Sequence, residues 1–201
     1  GSMHAASLKA IVALTRHDIP RMAGVAAVAA AAIVASLVIE SSVGGVLAAG
    51  LVLVVVAIAV IDARSFIIPD ELNAAGIVLG LAYVGATGWS ITGDIAMAVL
   101  RGAILATAFL AIRTGYRRLR GRDGLGLGDV KLAAMAGIWL DWTIIPVAID
   151  IAAGSALAFY ALRQLSAGRG FRATERLPFG LFLAPAIWIG WVIDHWLFAG
   201  F

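Results

Sequence analysis

Cysteine is absent from the 201 residues, so the chain can hold no disulfide, offer no thiolate nucleophile and build no zinc ribbon. Charge is scarce as well, with 13% of residues Asp, Glu, Lys or Arg. The three histidines, His4, His17 and His195, are scattered without metal-ligand spacing, and neither a metal nor an organic cofactor is expected. Missing too is the Gly-Lys-Ser/Thr ending that would make the glycine-rich run 124–128 a phosphate-binding loop. What fills the chain instead is apolar: 62% of residues are hydrophobic and the mean hydropathy is +1.00, far above an ordinary soluble domain.

The apolar residues fall in runs of roughly twenty, the length needed to cross a hydrocarbon core of about 30 Å. Rich in Ala, Val, Leu, Ile and Gly and without period-two alternation, they predict helices and not barrel strands. The expected fold is all-α, a polytopic membrane bundle of seven spanning helices at 22–39, 45–61, 73–87, 95–112, 129–140, 143–162 and 179–198. Counting the first apolar run or the short fifth helix differently gives six. Gly1-Ser2 reads as a tag remnant, the rest of 1–20 as an amphipathic segment on the membrane surface, and 21–201 as one transmembrane domain. No cleavable signal peptide is expected, because the first long run is followed by Glu40, Ser41 and another run.

Lys and Arg orient the bundle. Lys9, Arg16 and Arg21, Arg64 of the 62–72 connection, Arg113, Arg117, Arg118, Arg120 and Arg122 of 113–128, and Arg163, Arg169, Arg172 and Arg176 of 163–177 all fall on one side. The opposite connections offer Glu40, Asp94, Asp141, Asp194 and His195. The positive-inside rule then predicts a cytoplasmic amino terminus and a periplasmic carboxy terminus. The basic connections suit anionic lipid and topology, and no nucleic-acid partner is expected. Trp89, Trp139, Trp142, Trp191 and Trp196 fall at outer helix ends and predict an interfacial belt, and Gly76 with Gly80 predicts a closely packed helix face.

Two carboxylates stand apart. Asp62 ends the second predicted helix and Asp129 begins the fifth, both at the basic face, with Asp129 delivered by the turn Gly124-Leu-Gly126-Leu-Gly128. Two readings stand. Each acid caps a helix end or snorkels, or the two form a pair that works as base and acid on a peptide bond. Helix length favours depth for Asp129: the dozen or so residues to Asp141 span only about 18 Å. If Asp141 and Trp142 mark the outer interface, Asp129 lies inside the membrane, where a glycine turn is tolerated only as the lining of a wet or protein-filled cleft.

Asp62 with Ile68-Pro69-Asp70, then Gly126-Leu-Gly128-Asp129-Val130-Lys131-Leu132, then Pro178-Phe179-Gly180 within 177–184 together resemble the type IV prepilin peptidase family, intramembrane aspartic proteases with a Gly-x-Gly-Asp element. The resemblance implies that Asp62 and Asp129 are the catalytic pair. It implies a prepilin or pseudopilin substrate whose basic leader is cut after a glycine at the cytoplasmic face of a bacterial inner membrane. Larger members carry a methyltransferase region with zinc-binding cysteines; a chain without cysteine departs from them, and methylation is not expected. The compact form resembles the peptidases of Flp-type pili.

Further residues follow from this frame. Gly126 and Gly128 are expected to make space for a substrate backbone. Lys131 either tunes the pair or snorkels. Pro69, Asp70 and Glu71 read as a helix start, with the acids also placed to meet a basic leader. Pro178, Phe179 and Gly180 either open a helix or line the site. Outside the motifs, Arg101 and Asp150 lie at similar predicted depth and are expected to form a structural ion pair. A non-hydrolytic reading, a proton-coupled carrier or pilus assembly factor using the same acids, stays open.

Overall fold

The computed structural model describes residues 22–121, 124–166 and 178–198. The predicted amphipathic segment within 1–20, Arg21, Arg122 and the arginines at 169, 172 and 176 lie outside the described residues. Seven helices form: α1 Met22–Ile39, α2 Val43–Ser65, α3 Asp70–Thr87, α4 Ile91–Arg120, α5 Leu127–Trp139, α6 Ile144–Ser166 and α7 Gly180–Phe198. There is no strand among the described residues, as the apolar runs predicted.

Five of the seven, all but α3 and α5, are long and apolar enough to cross a membrane. The seven expected helices are all present among the described residues, and α3 and α5 fall short of a full span for a local reason. Helix α3 opens on Asp70, Glu71 and Asn73, and α5 has only 13 residues, about 20 Å of rise. Helix α4 runs to Arg120, so the basic connection expected from residue 113 is mostly helical, its last-turn arginines complementing the helix carboxyl end.

The short α5 sits at the centre. It packs against α3, α4 and α7, while α2 pairs with α3 and α7, and α6 lies on α7. From Val130 to Trp139 only Lys131 is exposed. A helix apolar on all sides has to be surrounded, and glycines set how closely. A Cβ on Gly137 would lie 2.7 Å from the Arg101 carbonyl oxygen, and one on Gly102 2.8 Å from that of Ala134, so α4 and α5 meet backbone to backbone. On α3, Gly76 lies against the Met135 sulfur and Gly80 against Ile138 and Trp139, which realises the predicted small-residue face.

Two tryptophans expected at the interface are in the core instead. Trp139 and Trp191 are 4% and 1% exposed, because each ring has partners inside. Trp139 donates from Nε1 to the Gly76 carbonyl at 2.8 Å and stacks on Tyr83, while Trp191 lies against the His195 ring. Trp89, Trp142 and Trp196 remain exposed. The Tyr83 hydroxyl donates to Glu40 Oε2 at 3.2 Å and meets His195 Nε2 at 3.0 Å, joining α3, α7 and the α1–α2 connection.

Arg101 does not pair with Asp150. Its Nε donates to the Gly137 carbonyl at 3.1 Å and its Nη1 to Asp141 Oδ1 at 3.2 Å. The expected depth match fails because α4 packs along α5, whose end carries Asp141, whereas Asp150 is exposed on α6, which rests on α7.

The α4–α5 crossing leads to a stability expectation. Gly137→Val should destabilise the bundle by about 1–3 kcal/mol, the usual cost of forcing extra carbons against backbone that cannot yield. Unfolding in detergent checks it, with Gly24→Val, which has nothing within 4 Å, as the control.

Candidate active site

At the end of the bundle where α3, α5 and α7 begin, two acids are buried. Asp62 stands in the last turn of α2, which closes on Phe66 in the left-handed region at φ 55°. The Phe66 N–H returns to the Asp62 carbonyl at 2.9 Å, and the four residues 66–69 carry the chain into α3. Asp62 itself is 4% exposed, and its Oδ2 accepts from the Leu181 N–H at 2.9 Å. That N–H belongs to the first turn of α7, where backbone donors lack intrahelical acceptors and the helix dipole favours an anion. Asp62 therefore caps a helix other than its own.

Asp129 is the third residue of α5 and 8% exposed. Its Oδ2 accepts from the Gly126 N–H at 3.0 Å, capping its own helix. The glycine-rich turn is held from outside: Arg113 Nε donates to the Leu125 carbonyl at 3.0 Å, and Gly124 lies on the Tyr116 ring. The helix-capping reading thus describes both acids correctly, and it leaves the pairing possible.

Ile68 joins the two halves. A Cβ on Gly128 would lie 2.9 Å from Ile68 Cβ; one on Gly180 would lie 2.6 Å from Ile68 Cδ1 and 2.9 Å from Asp62 Oδ2. Only glycine allows both α5 and α7 to close on this side chain. Ile68 was legible as part of Ile68-Pro69-Asp70, but its place between two glycines was not. Asn73, also outside the sequence expectation, is buried one turn along α3.

The remaining expected residues divide. Gly126 and Gly180 lie against Asp129 and Asp62, Gly128 and Gly180 lie against Ile68, and Pro178 and Phe179 are half-buried just before Gly180. Pro69 precedes α3 as its amino cap. Lys131 turns outward, its Nζ 2.6 Å from Asp70 Oδ1, and ties α5 to α3 at the surface. Glu71 is exposed. There is no cluster of three or more potential metal-ligating His, Asp or Glu side chains among the described residues.

A model of the type IV leader peptidase family matches residues 49–162. The chain belongs to the type IV leader peptidase family. It is 35% identical over 132 residues to the Leader peptidase HopD of Escherichia coli, a match covering 65% of this chain and 82% of that protein. It is 37% identical over 148 residues to the Prepilin leader peptidase/N-methyltransferase of Burkholderia pseudomallei (strain 1026b), covering 70% of this chain and 44% of the relative. The corresponding protein of Aeromonas hydrophila is 28% identical over 152 residues, with 51% of its length matched. The chain thus spans about half the length of the two-activity relatives and most of the shorter one. No solved structure matches. Asp62 and Asp129 fall inside the family match; Gly180 and Leu181, which the fold brings onto Asp62, fall beyond it.

A methyl group at residue 180 would displace Ile68 or the Asp62 carboxylate. Gly180→Ala should slow leader cleavage by roughly 10²-fold, the scale of an ångström-sized misplacement of a reacting group. Cleavage measured beside thermal denaturation checks this; unchanged turnover would show that the site has slack.

Proposed function

We propose that this protein is an aspartic endopeptidase of a bacterial inner membrane, removing basic leaders from prepilin-like substrates at the cytoplasmic face with Asp62 and Asp129 as the catalytic pair. The observation that carries the reading is the placement of two buried carboxylates at one end of the bundle, each accepting from an N–H at a helix amino terminus, with Ile68 packed against the glycines at 128 and 180 beside them. Such a pair shares a proton more readily than it ionises twice.

The ionised member takes a proton from water as the water oxygen attacks the scissile carbonyl carbon. The protonated member gives its proton to the carbonyl oxygen. The resulting tetrahedral diol collapses with cleavage of the C–N bond, and a proton passes to the departing amine. The backbone donors at Gly126 and Leu181 hold the carboxylates in place through these exchanges.

Orientation is supported by charge. The last turns of α2, α4 and α6 carry Arg64, then Arg117, Arg118 and Arg120, then Arg163, and α3, α5 and α7 begin at the opposite turn of each connection. Reading this basic end as cytoplasmic places both aspartates there. The substrate's apolar helix then docks from the bilayer while its basic leader meets Glu71 and anionic lipid at the surface. Most of the shorter relative, a leader peptidase by name, is matched, and the sequence has no cysteine for a zinc-binding methyltransferase region, so the proposed activity is peptidase without methyl transfer.

Asp62→Asn and Asp129→Asn should each lower cleavage of a co-expressed prepilin roughly 10²–10⁴-fold while leaving the protein folded in membranes. Immunoblots for leader loss, with size-exclusion profiles of the purified variants, read the result. Substantial cleavage by both variants would sink the mechanism, whereas no leader loss with the wild-type protein would favour a proton-coupled carrier.

A further inference from the structure

Asn73 is 2% exposed, yet neither its Nδ2 nor its Oδ1 has a hydrogen-bond partner. Buried amides are nearly always paired, because an unpaired one gives up its hydrogen bonds to water with nothing in return. Nothing in the packing of α3 asks for an amide here. The other fully turned-in positions of that helix are Gly76 and Gly80, which serve close approach to α5.

Its place points to the catalytic layer. Gly76 lies against Met135, and Gly80 against Ile138 and Trp139, so α3 and α5 run side by side in one direction. That register sets Asn73 beside Leu132, one turn inward of Asp129 and so about 4.5 Å deeper along the axis. Side chains lean toward the amino end of their helix. Asn73 therefore leans outward to the layer of Asp129 and Ile68. Asp62, on the antiparallel α2, leans inward toward the same layer. The burial of Asn73 matches that of the two acids, at 4% and 8%, so whatever opens the site to them opens it to the amide.

A carboxamide offers one donor group and one acceptor side by side. An ionised carboxylate can satisfy only the donor. A peptide group of an extended chain satisfies both, its carbonyl accepting from Nδ2–H and its N–H donating to Oδ1. We infer that Asn73 is a substrate-binding residue that grips a main-chain peptide group of the leader substrate next to the scissile bond, on the membrane-interior side of the two aspartates. This inference rests on the peptidase reading of the site.

The test compares wild type with Asn73→Leu and Asn73→Ala in purified, detergent-solubilised full chain. The substrates are synthetic prepilin peptides in which successive peptide N–H groups flanking the scissile bond are replaced by ester oxygen. Asn73→Leu removes the unpaired amide and should melt at or above the wild-type temperature, while kcat/KM falls roughly tenfold or more per folded enzyme. In wild type one ester position should slow cleavage several-fold; in both variants that position should become neutral. Should Asn73→Leu be poorly folded, the ester comparison in Asn73→Ala decides. Turnover within twofold of wild type, or the same ester penalties in wild type and variants, overturns the role of Asn73 while leaving the peptidase reading standing. Failure of wild type itself to cut any leader overturns both.

Discussion

The hydrogen bond from the Leu181 N–H to the Asp62 carboxylate joins residues 119 apart and closes the end of the bundle. Each group answers a need of the other. A helix beginning inside protein has donors without acceptors, and a buried carboxylate without donors costs several kcal/mol. Joined, they set where α7 starts relative to α2. That position in turn brings Gly180 onto Ile68, and Ile68 onto Gly128, which leads directly into Asp129. The two acids are thus spaced by a chain of contacts that begins with one backbone donor.

The brevity of α5 has a matching consequence. Thirteen residues reach only about two-thirds of the way across a hydrocarbon core of about 30 Å. The turn that opens the helix is braced by Arg113, Tyr116 and Ile68. Backbone-close packing of α4 and α5 through Gly102 and Gly137 holds the short helix in register, and the Lys131–Asp70 pair ties its exposed edge to α3. A site built this way buries two carboxylates while its supports remain ordinary helix contacts.

Much of this was legible in residues whose placement depends on neighbours along the chain. Apolar runs located the seven described helices, Gly76 and Gly80 marked a packing face, and the Gly-x-Gly-Asp turn with Asp62 singled out two acids that the fold buries at one end of the bundle. Residues whose partners lie on other helices were harder. Trp139 and Trp191 have the composition of interfacial anchors, and only the packing of Tyr83 and His195 against them places them inside. Arg101 was expected to meet Asp150, and the α4–α5 contact gave it Asp141 instead. Asn73 carried a faint signal, since it precedes Gly76 by three residues on the same helical face, where a polar side chain is out of pattern.

The sequence alone determined that this chain is a helical membrane bundle, because hydropathy and the need to satisfy backbone hydrogen bonds in lipid act on each segment separately. It also determined which acids merit attention, since a carboxylate beside an apolar run is costly wherever the run ends up. Which helices meet, which glycine faces Ile68 and which backbone donor reaches Asp62 were decided only in the tertiary structure. Those choices depend on side-chain volume and helix register across more than a hundred residues, and no local period in the chain encodes them.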